Sequence, residues 1–202
     1  MHSLNLFLAS ASPRRLDLLR QIGVEPFACL AADIDETPKP QELPRALAER
    51  LAHEKALACL MAAKESVKGV PFLLLAADTV VAVGRRILPK AETEADAIAC
   101  LDLLSGRSHR VYTGVCVATS EGLIRHRLVE TRVTMKRLSD EERRAYLISG
   151  EWQGKAGGYA IQGRAAAFVS RLVGSHSSVV GLPLYETSQL LMGLGYRTGG
   201  TR

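Results

Sequence analysis

The stretch Phe72-Leu-Leu-Leu-Ala-Ala-Asp78-Thr79-Val-Val-Ala-Val83 decides the fold, because it is apolar at successive positions and so predicts a β-strand buried on both faces. Such a strand lies in the centre of a sheet that is covered on both sides. A carboxylate inside this run is costly to bury unless it is paired, hydrogen-bonded or bound to a metal. Asp78 is therefore a candidate metal ligand or general base. In the structural alternative, the strand ends early and Asp78 caps a turn.

The rest of the chain alternates between strand-like and helix-like segments. The predicted strands are Leu4–Ala9, His109–Ala118, Leu123–Lys136 and Ala166–Val173, and the predicted helices begin at Pro13, Leu43, Thr93, Ser139 and Leu184. A turn at Ser120-Glu121-Gly122 joins two of the strands as a hairpin. The pattern predicts an α/β or α+β fold with a mixed sheet. No linker is evident, so we expect residues 1–195 to form one domain and residues 196–202 to form a disordered tail.

The composition is that of an ordinary globular protein. Of 202 residues, 47% are hydrophobic and 23% charged, with no apolar run long enough to span a membrane and no signal-peptide pattern. The net charge of +5 favours an anionic partner. Because the basic residues are scattered and aromatic residues make up only 5%, a phosphate-bearing small molecule fits at least as well as a nucleic acid.

The cysteines indicate the cellular compartment. None of them has zinc-site spacing, and each lies in an apolar stretch. The four are Cys29, Cys59, Cys100 and Cys116. We expect buried thiols in a reducing cytoplasm.

The turn Ser10-Ala-Ser12-Pro13-Arg14-Arg15 connects the first strand to the first helix. Ser12 suits the N-cap position and Pro13 the first helical position. A helix N-terminus presents free N–H groups that bind phosphate, and here two arginines lie in its first turn, where the helix dipole disfavours positive charge. The alternative, a capped helix with exposed arginines, is about equally compatible with these residues.

Further candidates are weaker when each is taken alone. Lys55 continues the apolar stripe of Leu47 and Leu51, so it either reaches a cleft or extends its ammonium group to solvent. The acid pair Asp35-Glu36 and Lys90 lie in loops. The single histidines, including His109, are predicted to be structural.

A glycine-rich segment, residues 150–163, is the most distinctive part of the sequence. Its glycines indicate a backbone that approaches other groups closely. Gln162 can both donate and accept hydrogen bonds, as reading the edge of a nucleobase requires. The alternative is a glycine-rich connection with an exposed glutamine, which the residues alone favour slightly.

Taken in order, these motifs resemble the Maf family of nucleoside triphosphate pyrophosphatases over about residues 4–194. The matching motifs are Ser10-x-Ser-Pro-Arg-Arg15, Asp35-Glu36, Glu54-Lys55-Ala56, Ala77-Asp78-Thr79, Leu104-Ser-Gly106, Tyr112-Thr-Gly114, Gly150-Glu-Trp152, Lys155-Ala-Gly157, Ile161-Gln-Gly163 and Val180-Gly-Leu-Pro-Leu184. Two positions depart from the family pattern. Ala91 follows Lys90 where proline is usual, and Ser178 stands where asparagine is frequent.

The resemblance implies a curved mixed sheet flanked by helices, with two lobes around a deep cleft, as in inosine triphosphatases. It implies a cytoplasmic, often homodimeric enzyme that hydrolyses a nucleoside triphosphate to a monophosphate and pyrophosphate with Mg²⁺ or Mn²⁺. Asp78 would be the catalytic proton acceptor, and Glu36 and Asp78 would bring the metal. The residues expected to bind substrate are Ser10, Ser12, Arg14, Arg15, Lys55, Thr79, Lys90 and Gln162.

Three of these positions distinguish groups within the family. Arg14, Thr79 and Gln162 are similar to the group that acts on dTTP and UTP. A sister group that prefers 7-methyl-GTP tends to have tryptophan after Ser-Pro and glutamate in place of the glutamine. An amide can accept from N3–H and donate to O4 of uracil or thymine, whereas a glutamate suits the two donors of guanine. The pyrimidine group is therefore favoured, with nucleotide-pool sanitation and cell-division control as expected roles.

Two other classes of protein are compatible with part of the sequence. A nucleotide-binding regulator of cell division without catalytic activity would need the cations but not Glu36 and Asp78. A nucleic-acid-binding domain would account for the basic pI of about 9.2, but the sequence has neither a basic cluster nor many aromatic residues. We expect no stable nucleic-acid partner and no membrane contact.

Overall fold

The computed structural model describes residues 4–197. Its strands are β1 (Asn5–Ala9), β2 (Ala28–Cys29), β3 (Phe72–Val83), β4 (Arg86–Leu88), β5 (Lys90–Ala91), β6 (Ser108–Thr119), β7 (Ile124–Met135), β8 (Lys155–Ala156) and β9 (Val169–Val173). Its helices are α1 (Pro13–Gln21), α2 (Pro44–Val67), α3 (Glu94–Leu104), α4 (Asp140–Ile148), α5 (His176–Val180) and α6 (Leu184–Gly193), with a 3₁₀ turn at Arg164–Phe168.

Seven strands form one mixed sheet in the order β2-β1-β3-β6-β7-β9, with β4 paired to the distal half of β3. Strand β1 runs parallel to β2 and β3, whereas the β3–β6, β6–β7 and β7–β9 pairs are antiparallel. Strands β5 and β8 form a separate two-stranded sheet. The predicted α/β fold with a mixed, helix-flanked sheet is confirmed.

Strand β3 is central and covered on both faces, as its sequence predicts. Leu73 and Leu75 point into an apolar cluster with helices α1 and α6, while Leu74 and Ala76 point into a second cluster with helix α2. The predicted boundaries of β3 match the structure at both ends. The sheet is therefore held between α2 on one face and the α1–α6 pair on the other.

Other predictions need correction. Residues Ala166–Phe168 are not part of a strand, because the backbone from Arg164 to Phe168 winds into the 3₁₀ turn that buries Ala165 and Phe168, and β9 begins only at Val169. The prediction that Cys29 is buried is also wrong, since this residue lies on the edge strand β2 and is exposed. The other three cysteines are buried, and burial raises the pKa of the Cys116 thiol to about 11.

Two further observations concern the chain as a whole. No helix within residues 4–197 is long and apolar enough to cross a membrane.

The predicted disordered tail begins at Tyr196, which is packed in the structure. The Tyr196 N–H donates to the Leu191 carbonyl at 2.9 Å, and the Tyr196 side chain packs against the α1–α6 cluster. The rest of the predicted tail, residues 198–202, lies outside the described residues.

Helix α2 packs closely against the sheet at Gly114 of β6. A Cβ atom added there would lie 2.4 Å from the Ala48 carbonyl oxygen and 3.2 Å from the Ala52 methyl group. Both neighbours belong to the helix that carries Lys55, so they cannot yield without moving the helix. Gly114 therefore sets the distance between α2 and the sheet.

The predicted structural role of His109 is confirmed by its place between the sheet and the glycine-rich segment. Its Nε2 atom lies 2.7 Å from the Tyr159 hydroxyl, and the two rings meet edge to face. The Tyr146 hydroxyl accepts a hydrogen bond from the Ala160 N–H at 3.0 Å. These buried contacts attach the glycine-rich segment to β6 and α4. Burial lowers the pKa of His109 to about 4.

We expect Gly114→Ala to destabilise the protein by about 2 kcal/mol or more, since the added methyl group overlaps the α2 backbone. Urea unfolding followed by circular dichroism measures the effect. Gly193→Ala is the matched control, because a Cβ there has no neighbour within 4 Å, and it should be neutral or slightly stabilising. Equal stability of the two variants would show that α2 does not depend on the close approach.

We also expect His109 to make the protein less stable in mild acid. Because its pKa is about 4 in the fold and about 6.5 when unfolded, the unfolded chain takes up the proton first. Stability is therefore lost as the pH falls from about 6.5 towards 4, by about 2 kcal/mol between pH 7 and pH 5. The test compares unfolding free energies of the wild type and His109→Gln, which retains a hydrogen-bonding group but does not titrate. A pH dependence that is the same in both proteins would contradict the prediction.

Candidate active site

Asp78 lies within β3, opposite Gly114 of β6, and is only 5% exposed. Lys55 of helix α2, 7% exposed, places its Nζ atom 2.5 Å from the Asp78 Oδ1 atom. The alternative in which the strand ends early and Asp78 caps a turn is wrong, because β3 continues to Val83. Lys55 also does not extend its ammonium group to solvent. The pair is a buried carboxylate and a buried ammonium group held by the longest helix and the central strand of the sheet.

Glu36 completes this cluster from the loop that follows β2. Its Oε1 atom lies 2.6 Å from Lys55 Nζ, and its Oε2 atom accepts a hydrogen bond from Lys90 of β5. Partial burial alone would raise the pKa of the Glu36 carboxyl, but the two lysine ammonium groups outweigh it and lower the pKa to about 2. Lys90 thus reaches the cluster although Ala91 replaces the usual proline. One lysine contacts both carboxylates, and one carboxylate contacts both lysines.

The Ser10–Arg15 turn lies beside this cluster. Ser12 occupies the N-cap position, as predicted, but its hydroxyl makes no capping hydrogen bond to α1. Instead the Ser10 hydroxyl accepts from the Ser12 N–H at 3.1 Å and from Arg15 Nη1 at 3.2 Å. The Arg15 Nε atom donates to the Gly181 carbonyl at 2.9 Å. Arg15 is therefore fixed between the turn and the end of α5, which a merely exposed arginine would not be.

Thr79 and Gln162 face the same space from different sides. The Thr79 hydroxyl lies 3.1 Å from the Thr113 hydroxyl, which in turn donates to the Ser178 carbonyl at 2.8 Å. The Gln162 side chain is exposed and comes from the glycine-rich segment. Thr79 is thus held by neighbours, while Gln162 projects freely.

The candidate residues surround one cleft of about 340 Å³ and a smaller adjoining pocket of about 180 Å³. The cleft is lined by Ser12, Arg14, Arg15, Lys55, Asp78, Thr79, Lys90 and Gln162. Ser10 and Glu36 line the smaller pocket together with four of these residues. The structure therefore brings every predicted site residue to one place.

Sequence reasoning missed several residues of the cleft. Lys155, Gln153, Tyr159 and Gly181 also line it. Burial lowers the pKa of Lys155, and the neighbouring Arg14 charge lowers this pKa further. The sequence singled out Lys155 as a lysine of the glycine-rich segment and as part of the matching motif Lys155-Ala-Gly157, but neither signal assigned it a role in the site.

The two carboxylates fit a divalent cation. Both place an oxygen within 2.6 Å of one ammonium nitrogen, so the protein already arranges two anionic groups around one positive charge. No group of three or more His, Cys, Asp or Glu side chains able to hold a metal occurs in the described part of the chain. Mg²⁺ characteristically uses one or two carboxylates together with substrate phosphates and water. Glu36 and Asp78 match that donor set.

Several known proteins are similar to this chain. The dTTP/UTP pyrophosphatase of Mesorhizobium japonicum is 62% identical over 192 residues, 95% of this chain and 92% of that protein. The dTTP/UTP pyrophosphatase of Caulobacter vibrioides is 61% identical, covering 95% of this chain and 96% of its own. Among solved structures, a HAM1 protein from Coxiella burnetii aligns over 94% of this chain and 99% of its own, with 19% identity and a TM-score of 0.45.

The family comparison covers nearly the whole sequence. The Maf-like protein family matches residues 5–194, which include β1, α6 and every candidate site residue between them. With relatives about 60% identical over 95% of its length, the chain belongs to the Maf-like protein family.

Proposed function

We propose that this protein is a metal-dependent nucleoside triphosphate pyrophosphatase that converts dTTP and UTP to the monophosphate and pyrophosphate. The observation that carries the proposal is the contact of the buried Lys55 with the buried Asp78 and the half-buried Glu36, beside a cleft lined with cations. A protein that only bound nucleotides would have no need of two carboxylates beside the phosphates. The name dTTP/UTP pyrophosphatase, carried by relatives about 60% identical, supports the same reaction.

The cations of the cleft bind the triphosphate in this proposal. Arg15 is preorganised by its hydrogen bonds to Ser10 and Gly181, so it loses little side-chain entropy on binding. Further donors for phosphate oxygens come from the N-terminal end of α1, the hydroxyls of Ser10 and Ser12, and the Arg14 side chain. Lys55 and Lys90 stabilise the negative charge that develops on the leaving pyrophosphate.

The reaction is a hydrolysis in which a water oxygen forms a bond to the α-phosphorus. The bond from that phosphorus to the α–β bridging oxygen breaks, and the electron pair leaves with pyrophosphate. Asp78 accepts the proton of the attacking water. Because Lys55 holds the Asp78 carboxylate at 2.5 Å, the acceptor oxygens have a fixed position.

Glu36 and Asp78 would hold the Mg²⁺ or Mn²⁺ ion, with phosphate oxygens and water as the other ligands. When bound, the ion neutralises phosphate charge and makes water more acidic. A carboxylate is a weak base at neutral pH, so this acidification complements proton acceptance by Asp78.

In this proposal, the choice of nucleobase depends on Arg14, Thr79 and Gln162. The Gln162 amide accepts from N3–H and donates to O4 of uracil or thymine.

We further propose that residues 1–195 form one domain and that the protein acts as a homodimer in the cytoplasm. It binds neither membranes nor nucleic acids stably. Its proposed role is nucleotide-pool sanitation, with an effect on cell division.

The direct test is pyrophosphate release by the purified protein with Mg²⁺ or Mn²⁺, across the canonical triphosphates and 7-methyl-GTP. We expect dTTP and UTP to be fastest, with the monophosphate as co-product. A preference for 7-methyl-GTP would retain the reaction and overturn the base assignment. Binding without any turnover would instead support the regulatory alternative.

Asp78→Asn should reduce kcat for UTP by about a thousandfold or more while nucleotide binding persists, because the amide cannot accept the proton and the phosphate-binding cations remain. Steady-state kinetics and calorimetric titration with UTP measure the two quantities. Asp33→Asn, an exposed carboxylate in the loop that carries Glu36, serves as the control and should retain wild-type activity. Near-normal turnover by Asp78→Asn would refute the assigned role.

Gln162→Glu should lower kcat/KM for UTP by about tenfold or more, because a carboxylate accepts hydrogen bonds but cannot donate to O4. The same substitution should raise the relative rate with 7-methyl-GTP, whose guanine edge offers two donors. Competing-substrate assays with both nucleotides measure the change in preference. Gln153→Glu, which alters another glutamine of the cleft, controls for the added charge. An unchanged preference in Gln162→Glu would remove Gln162 from base recognition.

A further inference from the structure

A chain of hydroxyl groups connects the cleft to helix α5. Thr79 of β3 and Thr113 of β6 lie directly opposite each other in an antiparallel pair, so their side chains share one face of the sheet. Their hydroxyl oxygens are 3.1 Å apart, and the Thr113 hydroxyl lies 2.8 Å from the Ser178 carbonyl oxygen. Thr79 lines the cleft, whereas Thr113 is fully buried. Any effect of Thr113 on a ligand therefore has to pass through its neighbours.

The direction of these hydrogen bonds follows from the number of protons. A threonine hydroxyl has one proton to donate. Because a carbonyl oxygen can only accept, the Thr113 hydroxyl donates to Ser178. In the contact between the two hydroxyls, Thr113 can then only accept, so Thr79 is the donor. With its proton directed at Thr113, the Thr79 oxygen presents only lone pairs to the cleft.

The opposite direction would leave a buried carbonyl group without a donor. Ser178 is fully buried, so its backbone polar groups need partners within the protein. The N–H groups of Gly181 and Leu182, which follow it in the chain, both donate to the Ser177 carbonyl at 3.0 Å. Thr113 therefore supplies the donor for the Ser178 carbonyl. Since a buried acceptor that loses its donor is destabilising, the direction of the hydroxyl chain is fixed.

A second buried threonine holds the same segment without any contact to Thr79. The hydroxyl of Thr131, in β7, donates to the Ser175 carbonyl at 3.3 Å and accepts from the Ser175 N–H at 3.1 Å. A Cβ on Gly174 would lie 2.7 Å from the same hydroxyl oxygen. The chain that enters α5 is thus attached to the sheet at two threonines, of which Thr113 also contacts a residue of the cleft.

We propose that Thr113 is a positioning residue, which accepts the hydrogen bond of the Thr79 hydroxyl and so makes Thr79 an acceptor for a donor on the nucleoside part of the substrate. This inference rests on the proposed function, since it concerns the same cleft and the same substrate. Ionised phosphate oxygens only accept hydrogen bonds, so they cannot pair with the Thr79 lone pairs. The donors of a uracil or thymine nucleotide are the N3–H of the base and the hydroxyls of the sugar.

The attacking water is the main alternative donor, and the strand geometry argues against it. In the proposed function, that water gives its proton to Asp78, and successive side chains of a strand point to opposite faces. Asp78 contacts Lys55 of α2. Thr79 instead contacts Thr113, and a Cβ on Gly181 would lie 4.0 Å from the Thr79 oxygen. The Thr79 oxygen therefore faces the α5 side of the sheet and not the side of the Asp78 carboxylate.

Valine substitutions test the proposal by calorimetric titration with UMP and with pyrophosphate. Thr113→Val should weaken UMP binding by about fivefold or more, because the Thr79 hydroxyl is no longer fixed as an acceptor, and should leave pyrophosphate binding unchanged. Thr79→Val should weaken UMP binding at least as much. Because Thr113 acts through Thr79, the double variant should bind UMP no more weakly than Thr79→Val. Thr113→Ser, which keeps the hydroxyl, should recover most of the UMP affinity.

Thr131→Val is the matched control, because it also removes a buried hydroxyl that attaches the α5 segment to the sheet. It should bind UMP as the wild type does. Two analogues then identify the donor on the nucleoside. UMP methylated at N3 lacks the donor of the base, and UMP without sugar hydroxyls lacks the others. The wild type and Thr79→Val should bind one of these two analogues equally well.

Three outcomes would overturn the proposal. The first is a double variant in which the two losses of UMP affinity multiply, and the second is a loss in Thr131→Val as large as that in Thr113→Val. The third is weaker binding of both analogues by Thr79→Val than by the wild type. If the wild type binds UMP but hydrolyses no triphosphate, the proposed function falls, while the binding measurements still decide the role of Thr113.

Discussion

The contact of one lysine ammonium group with two carboxylates is the constraint on which the site depends. Lys55 and Asp78 are both almost fully buried, and a buried charge that loses its partner destabilises a protein by about 3–5 kcal/mol. Helix α2 and strand β3 must therefore stay at a distance that keeps the pair in contact. Gly114 permits that distance, since any side chain there would meet the α2 backbone. Glu36 then adds the second carboxylate from a loop, without a further buried element.

Some cations of the cleft are paired with carboxylates and others are not. This difference suits a cleft that, in the proposed function, binds both the phosphates and the base of a nucleotide. Around Glu36 and Asp78, each carboxylate contacts at least one lysine ammonium group, so charged ligands could exchange with existing ion pairs. Elsewhere in the cleft, Arg14 and Lys155 form no ion pair within residues 4–197, and Gln162 adds an amide that can donate and accept. A ligand with phosphates at one end and a carbonyl-rich heterocycle at the other complements both. A polyanion of uniform charge would complement only part of the cleft.

The sequence predicted the long helices and strands well, because each has enough residues to show the spacing of apolar residues that is typical of its type. Strand β3 and the capping box at Ser139 have the predicted boundaries, and the sequence also singled out Asp78 and Lys55 as polar groups in apolar settings. Strands β5 and β8 have two residues each, too few for any alternation, so they escaped notice. For that reason Lys155 could not be placed in the cleft. The predicted strand Ala166–Val173 starts three residues too early, because a short apolar run looks the same in a strand and in a buried 3₁₀ turn.

In the proposed function, one wall of the cleft carries out the chemistry and the other selects the nucleobase. Strand β3, helix α2 and the Glu36 loop carry the carboxylates, and a change there would alter the reaction itself. The glycine-rich segment carries Lys155 and Gln162, and it is attached to the rest through the β5–β8 pair and the His109–Tyr159 contact. Because these attachments involve backbone groups and buried rings, the side chains that face the ligand are free to vary without disturbing the fold. Such a division allows one reaction to be directed to different nucleobases by replacing only a few residues of the second wall.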